Sequence, residues 1–408
     1  MTEESQVLAR IRAALAGCEE DMLAFARDLV AVPTENPPGG HYRECVDVIA
    51  TRLAAIGLEP TVLAVPPEPT DSPYPRYVVQ SFYGTGRRTL YFHGHYDVVP
   101  AADAGQFAPH VADGVLWGRG AADMKGGLAA MIYAVKALRD SGVSLDGRIG
   151  LTIVPDEETG GAGGSQYLAR RGLLGADGIG MLTPEPTTGT IWNANRGAIT
   201  LRVTVKGRPA HVGLQHEGVN AFEGMLDVAN ALRALKAEVE TRTTAFHVVP
   251  EEARRSILML GGRCEGGTSF NLVPAECWFT VERRINPEED LAAEKERLFA
   301  LFARLREQGT DLAVEVLQEG KSSGVAEDNP VGQALAGAVE AVRGARPPFV
   351  MCPGLLEIRF YAERGIPAFA YSPALLEVSH GPREHVPLAD LTACAAVYAL
   401  SAVRLLAA

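Results

Sequence analysis

Five short segments, spread from the first quarter of the chain to its end, each carry a side chain that binds divalent cations well. They hold, in order, His95 in HGHYDVV, Asp123 in GRGAADMKGG, Glu158 in PDEETGG, Glu185 in TPEP and His380 in VSHGPREH. Two imidazoles and three carboxylates can serve two cations that share one carboxylate. A fold that used all five would have to bring His380 back beside ligands that lie far upstream. That requirement limits the possible architectures more than any other feature of the sequence.

Alternating helical and strand patterns fill the first half of the chain. The apolar run RIGLTIVPD, which follows a helical segment, is typical of a strand covered by helices on both faces of a sheet. Near Gly197 the pattern changes to a strand–helix–strand–strand–helix–strand series, and after Lys321 the first pattern returns. Since 408 residues exceed what one core usually serves, we predict two domains. We expect an α/β domain from residues 1–196 and 319–408, with a smaller α+β domain at 197–318 inserted between its two parts.

The charge of the chain limits its partners. With 38 basic and 50 acidic residues the formal net charge is −12, which argues against nucleic acid or an anionic membrane as partner, because both require a basic face. The N-terminal MTEESQVLARIRAALAGCEE lacks the features of a secretory signal, and we expect no membrane span. The six cysteines form no CxxC pair and are typical of small buried residues in a reducing compartment. The predicted location is the cytoplasm.

The alternation of side chains along a β-strand offers His95 a carboxylate neighbour. In YFHGHYDVV, a strand that continued to Asp97 would place His93, His95 and Asp97 on one face. A metal-bound imidazole usually donates its other ring N–H to a carboxylate, and Asp97 beside His95 meets that requirement. A polar strand end at the surface is the alternative interpretation.

The glycine-rich segment GRGAADMKGG admits three interpretations. Gly118, Gly120 and Asp123 follow the spacing of a dinucleotide-binding GxGxxG loop, but Asp123 stands where close helix–strand packing requires a small residue. The aspartate could instead cap the helix that follows. At a strand-to-helix corner between glycines an acidic side chain is well placed to reach a metal, and we favour that interpretation over a nucleotide-dependent oxidoreductase.

Paired carboxylates follow the apolar strand that ends at PDEETGG. Open α/β sheets bind ligands at the carboxyl ends of their strands, where Glu157 and Glu158 stand. Adjacent side chains point in different directions, so one carboxylate can bind a metal while the other faces a substrate. Taken alone, this pair, Glu185 between two prolines and His380 before a glycine–proline turn could each be solvated or structural. Their combination is what indicates a site.

Together these motifs resemble the M20 metallopeptidase and amidohydrolase family. The resemblance rests on HxD, GRGxxDMKGG, EExxG, EP and a late SHG, and it runs from NPPG near Pro37 to HGPREH. It implies a zinc-exopeptidase-like catalytic domain with a mixed, mostly parallel sheet. It also implies that the inserted α+β domain is a lid that forms a homodimer, and that the peptide bond between Asp123 and Met124 is cis.

The resemblance assigns the five ligands to two divalent cations. His95 and Glu185 would hold one cation, Glu158 and His380 the other, and Asp123 would bridge them. Zinc is the metal expected for such a set, with cobalt or manganese as alternatives.

Proton transfer is assigned in the same way. Asp97 would support His95. Glu157 would be the general base that activates a metal-bridging water to hydroxide, and it would later protonate the leaving amine.

The inserted domain would complete the site. His211 in GRPAHVG would stabilise the tetrahedral oxyanion, and Asn271 in NLVP and Arg284 in RRINP would grip a substrate carboxylate. Arg359 in PGLLEIR is a further substrate-binding candidate.

The substrate expected from these residues is a small N-acyl amino acid, which the enzyme would deacylate by hydrolysing its amide bond. Glu185, in place of an aspartate, is similar to the deacylase and carboxypeptidase branches, and Arg284 indicates a free carboxylate on the substrate. A carboxypeptidase or dipeptidase of the same family is the alternative. A catalytically inactive binding protein is another, which the presence of all five ligands and of Glu157 argues against. Two departures from the family pattern, Ser372-Pro373-Ala374 and PGLLEIR, leave the metal chemistry intact and bear on the choice of substrate.

Overall fold

A computed structural model describes residues 2–67 and 72–407 and divides the chain into two compact units. The first unit comprises the chain up to Asn193 together with Val325–Val350 and Glu357–Ala408. The second comprises Ala194–Gly324 and the short segment Met351–Leu356. The first unit is therefore built from three pieces of sequence, and His380 belongs to it together with the four ligands upstream.

The described residues form ten α-helices and sixteen β-strands. The helices are α1 Glu3–Ala16, α2 Glu19–Ala31, α3 Tyr42–Ala55, α4 Lys125–Ser141, α5 Ser165–Arg170, α6 Ala221–Val239, α7 Leu291–Glu307, α8 Pro330–Arg343, α9 Ile358–Ala362 and α10 Leu388–Leu406. The strands are β1 Thr61–Val65, β2 Arg76–Thr85, β3 Thr89–His95, β4 His110–Ala112, β5 Val115–Trp117, β6 Gly147–Val154, β7 Gly178–Thr183, β8 Ile191–Asn195, β9 Gly197–Lys206, β10 Ile257–Gly266, β11 Glu276–Ile285, β12 Leu312–Gly320, β13 Ser323–Gly324, β14 Phe349–Cys352, β15 Ala368–Ala370 and β16 His385–Pro387.

The main sheet of the first unit has the strand order β1-β2-β6-β3-β7-β15-β8, and β14 also pairs with β8. The four adjacent strands β6, β3, β7 and β15 run parallel to one another. The pairings of β1 with β2, β2 with β6 and β15 with β8 are antiparallel. The predicted mixed α/β fold is confirmed, with its parallel pairings confined to the centre of the sheet. Every residue of β3 is buried, as expected for a central strand that is covered on both faces.

Helix α4 is the central helix of the first unit. It packs against α1, α2 and α10, and α10 packs in turn against α8. Leu128, Ile132 and Val135 of α4 are fully buried in the core, and the helix is followed by Gly142, whose φ of 67° suits glycine. Among the described residues, α10 alone is long and apolar enough to cross a bilayer, a test that buried core helices also meet.

The second unit contains a four-stranded antiparallel sheet of order β10-β11-β9-β12. Its elements follow one another as strand, helix, strand, strand, helix and strand, which is the order that the sequence pattern predicts. Burial alternates along β11, and α6 and α7 pack against the sheet over a core that includes Leu201, Phe279 and Phe302. The prediction of buried cysteines is wrong for Cys264, which lies exposed on the edge strand β10.

Candidate metal centre

Three neighbouring parallel strands of the first unit end at the same edge of the sheet. His95 is the last residue of β3, Glu157 and Glu158 follow β6 after a short turn, and Glu185 follows β7 after one proline. Because β3 lies between β6 and β7, these side chains meet where the carboxyl ends of the strands converge. Each of these strands is apolar and ends in, or is followed by, acidic or imidazole side chains, a pattern that is visible in the sequence. The side chains at the three strand ends together form one wall of the site.

Asp123 reaches this edge from the turn that precedes α4. Two glycines at the start of α4 permit the approach, because a Cβ on Gly126 would lie 2.3 Å from the carbonyl oxygen of Ala121. A Cβ on Gly127 would lie 2.7 Å from the carbonyl oxygen of Pro184, the residue before Glu185. The glycines of DMKGG therefore let α4 begin in contact with both loops. The predicted cis peptide bond between Asp123 and Met124 is confirmed.

Two groups of ligand atoms share Asp123. In the first group, His95 Nε2 lies 3.3 Å from Asp123 Oδ1 and 3.8 Å from Glu185 Oε1. In the second, His380 Nε2 lies 3.1 Å from Asp123 Oδ2 and 3.4 Å from Glu158 Oε2. Within each group all ligand atoms lie within 4.8 Å of one another. Asp123 thus presents one carboxylate oxygen to each group.

The donor set fits two divalent cations. Nitrogen from histidine and oxygen from carboxylates is the combination that zinc and similar first-row metals accept. Buried polar atoms normally have hydrogen-bond partners, yet His95 Nε2 and Glu158 Oε1 are buried and have no such partner within the part of the chain that the structure describes. Both atoms belong to residues of the two groups, as expected if a metal is their partner.

Electrostatics at the centre also favour bound cations. Burial raises the pKa of Glu185 to about 8 against the opposing effect of His95, and the charges of Asp123 and Glu158 raise it further. Burial likewise raises the pKa of Glu157 well above its ordinary value. Hydrogen bonds to Asp123 and Glu158 raise the pKa of His380 to about 10. Burial also acts to raise the pKa of Asp123, but the neighbouring imidazoles of His380 and His95 lower that pKa overall. Crowded, desolvated carboxylates of this kind are stabilised as anions by cations held between them.

Asp97 supports the centre differently from what the strand pattern predicts. The strand ends at His95 and does not continue to Asp97, so the condition for placing both residues on one strand face is not met. His95 Nδ1 lies 3.0 Å from the backbone carbonyl oxygen of Asp97 and 3.4 Å from its carboxylate oxygen Oδ1. The carboxylate instead accepts the backbone N–H groups of Glu157 and Glu158, both at 3.2 Å. One residue therefore orients a ligand and fixes the turn that carries the predicted base.

Asn36 is a residue near the site whose role sequence reasoning missed. Its side-chain amide donates to Asp97 Oδ2 at 3.0 Å and lies 3.3 Å from Asp156 Oδ1, and Asp156 in turn accepts from Arg76 Nε at 2.9 Å. The available signal was its position in NPPG, a motif that extends the family resemblance upstream of the metal ligands.

A second unassigned contact joins His93 to Glu357. His93 Nε2 lies 2.6 Å from Glu357 Oε2, both side chains are almost fully buried, and the hydroxyl of Tyr361 lies 3.2 Å from His93 Nδ1. Arg359 lies near the same segment, where its Nη2 donates to the carbonyl oxygen of Gly160 at 3.2 Å. Its Nη1 is buried and has no hydrogen-bond partner among the described residues. The two-residue spacing of His93 and His95 was visible in the sequence, whereas the partner from PGLLEIR was not.

The remaining predicted residues lie in the second unit. His211 Nδ1 accepts the backbone N–H of Gly213, Asn271 Oδ1 accepts from the hydroxyl of Ser269, and Arg284 Nε pairs with Glu282 at 2.6 Å. Their action on a substrate stays a prediction.

Comparisons with known proteins agree with this geometry. The model of peptidase family M20/M25/M40 matches residues 91–404. A succinyl-diaminopimelate desuccinylase of Methylobacterium radiotolerans is 32% identical over 92% of this chain and 94% of its own length. One of Gluconacetobacter diazotrophicus is 29% identical over 96% of this chain and 99% of its own.

Solved structures share the fold. An M20 family metallo-carboxypeptidase of Sulfolobus solfataricus has a TM-score of 0.76 at 16% identity, covering 94% of this chain and 99% of its own. A dinuclear metal-binding M20 peptidase of Bacillus subtilis has a TM-score of 0.66 at 18% identity, with coverage of 96% and 99%. The chain therefore belongs to the M20/M25/M40 family of peptidases and is a metal-dependent hydrolase of amide bonds within it.

Proposed function

We propose that this enzyme deacylates a small N-acyl amino acid, and that the acyl group is succinyl. The observation that carries the reaction is the pair of ligand groups that share Asp123, with Glu157 directly beside the ligand Glu158. The named activity of the relatives, which match along more than nine-tenths of both chains, supports the succinyl group. Burial of Arg359, with one guanidinium nitrogen lacking a partner, supports a carboxylate on the substrate.

Two cations, zinc in the first instance, would be held by the five ligands. His95 and Glu185 would bind one, Glu158 and His380 the other, and Asp123 both. When bound, the cations lower the pKa of water and polarise the scissile carbonyl.

Glu157 would move the protons of the reaction. It accepts a proton from the attacking water as the new C–O bond forms at the carbonyl carbon. It then delivers that proton to the nitrogen as the C–N bond breaks, leaving a carboxylic acid and a free amine. Burial raises the pKa of Glu157, and a raised pKa makes its carboxylate a stronger base. General acid–base catalysis of this kind contributes ~10²–10⁴ in rate.

The second unit would supply the rest of the site. His211 would stabilise the oxyanion, and Asn271 and Arg284 would bind the substrate carboxylate. As a lid and dimerisation domain it would also make the enzyme a homodimer, which light scattering of the purified protein tests. The free cysteines of the described chain support the cytoplasm as its location.

Hydrolysis of a substrate panel tests the proposal. The panel holds N-succinyl-diaminopimelate, other N-succinyl, N-acetyl and N-formyl amino acids, and simple dipeptides, each with added Zn²⁺, Co²⁺ or Mn²⁺ and each with chelator. Chelator-sensitive release of succinate supports the assignment in full. Release of another acyl group keeps the deacylase and rejects the succinyl group, whereas cleavage of dipeptides alone makes the enzyme a dipeptidase or carboxypeptidase. No turnover with any metal would refute the proposal.

A further inference from the structure

Glu384 lies four residues beyond the ligand His380 and is fully buried, although it is charged. Its Oε1 accepts three backbone N–H groups, from Gly120 at 3.0 Å, Ala122 at 3.0 Å and Asp123 at 2.9 Å. A carboxylate that accepts several backbone N–H groups is strongly oriented. Glu384 therefore fixes the turn that carries the shared ligand.

Arg119 completes this contact from the other side. Its Nη1 pairs with Glu384 Oε2 at 2.5 Å, while its Nη2 donates to the carbonyl oxygen of His380 at 3.1 Å and lies 3.3 Å from that of Pro100. The side chain is 2% exposed. We call this pair the Arg119–Glu384 clamp, because it joins the turn of Asp123 to the loop of His380.

The two cation groups depend unequally on such a clamp. His95 and Glu185 stand at the ends of central strands, and their side chains are 1% and 8% exposed. The side chain of His380 is 51% exposed, and its backbone has a φ of 63°, which is uncommon for a residue other than glycine. Its own backbone carbonyl is held by Arg119. Unlike His95, which ends a strand, His380 lies in a turn.

We infer that the Arg119–Glu384 clamp is the positioning device for the second cation, the one held by Asp123, Glu158 and His380. The inference rests on the proposed two-cation centre. Neither side chain of the clamp is a ligand in that proposal. The guanidinium of Arg119 binds the backbone carbonyl of His380. The carboxylate of Glu384 binds both the guanidinium and the N–H groups of the turn that carries Asp123. The contact from Arg119 to His380 thereby acts on the second group alone, whereas the N–H groups that Glu384 accepts hold the ligand that both groups share.

Two conservative variants test the ion pair and the shape of the guanidinium separately. In Glu384→Gln, the amide oxygen can still accept the three backbone N–H groups, but the amide N–H₂ faces the guanidinium and the ion pair is lost. In Arg119→Lys, the charge remains while the fork that reaches both Glu384 and His380 is lost. Glu294→Gln is the matched control, because Glu294 is also a buried carboxylate paired with arginines, Arg283 at 2.8 Å and Arg242 at 2.6 Å, none of them a ligand.

The experiment measures metal binding directly. Full-length wild type and variants are stripped with chelator, titrated with Zn²⁺ and Co²⁺ by calorimetry, and checked for cations retained after dialysis. We expect one cation to bind with unchanged affinity and the other ~10–100-fold more weakly in both clamp variants, and wild-type binding in the control. Activity of the clamp variants should return as the metal concentration rises, which would not occur after a general loss of structure.

The outcomes distinguish this inference from the proposed function. A wild type that binds two cations while both clamp variants bind them equally well would overturn the clamp alone. Equal weakening of both cations, or loss that added metal does not restore, would also overturn it. A wild type that binds fewer than two cations would overturn the clamp and the two-cation reaction together.

Discussion

Adding one methyl group at either of the first two glycines of α4 should damage the metal centre in two distinguishable ways. In Gly126→Ala, the new Cβ would lie 2.3 Å from the carbonyl oxygen of Ala121, about 1 Å closer than an ordinary contact. In Gly127→Ala, it would lie 2.7 Å from the carbonyl oxygen of Pro184. Neither neighbour is a flexible side-chain end, so relief requires movement of the turn before Asp123 in the first case and of the turn before Glu185 in the second.

The magnitude follows from two opposing effects. Alanine is better than glycine inside a helix by up to about 1 kcal/mol, so a harmless substitution would stabilise the protein. Overpacking costs about 1–3 kcal/mol, and a ligand displaced by about 1 Å can reduce activity ~10²-fold. We therefore expect a lower melting temperature in both variants. Gly126→Ala should weaken both cations, because it moves the shared Asp123, whereas Gly127→Ala should weaken only the cation held by His95 and Glu185.

The assay is metal titration of chelator-stripped protein beside thermal melting, with Gly40→Ala as control because a Cβ there meets nothing within 4 Å. Variants that melt at or above the temperature of wild type and bind both cations normally would show that the close approach of α4 does not position the ligands. An identical pattern in the two variants, either loss of both cations or loss of the His95–Glu185 cation alone, would refute the separate roles of the two glycines.

Three further predictions concern single side chains. Glu157→Gln should lower kcat ~10²–10⁴-fold while both cations remain bound, and activity close to wild type would exclude Glu157 as the base. Arg284→Met should raise KM ~10–100-fold for a substrate with a free carboxylate and leave KM unchanged for its amide analogue. The reason is that a hydrogen bond to a charged group is worth about 1.5–3 kcal/mol. Equal changes in KM for both substrates would contradict this role. Burial lowers the pKa of Lys125 from 10.5 to about 8, so the unfolded chain binds that proton more tightly than the folded protein does. Between pH 8 and 10.5, the unfolding free energy of the wild type should therefore rise by roughly 3 kcal/mol relative to that of Lys125→Met. Urea unfolding across that range measures the difference, and a flat difference would contradict the assigned pKa.

The parts of the centre that the sequence predicts are those with a local signal. His95, the pair Glu157 and Glu158, and Glu185 each follow an apolar strand, and the carboxyl ends of parallel strands must converge once the sheet forms. The strand–helix order of the second unit has the same basis, because periodicity is carried by neighbours in sequence.

Contacts that depend on a chain reversal or on distant partners left no such signal. Periodicity cannot show that β3 stops at His95, and therefore it cannot show that His95 Nδ1 lies closer to the backbone carbonyl of Asp97 than to its carboxylate. His93 and Glu357 are separated by 264 positions, and only the finished fold makes them neighbours. The same holds for Glu384, whose buried charge is balanced by backbone N–H groups of a turn at residues 120–123.

The shared ligand explains why the centre needs contacts of this second kind. A residue at a strand end is committed to one direction, so His95 and Glu185 can serve one cation only. Asp123 presents Oδ1 toward His95 and Oδ2 toward His380, and it can do so only from a turn that lies between the sheet edge and the returning loop. Such a turn has no ladder of strand hydrogen bonds to fix it. Its position is set instead by the close approach at Gly126 and by the N–H groups that Glu384 accepts, so the residue with the strongest motif is the one most dependent on distant parts of the chain.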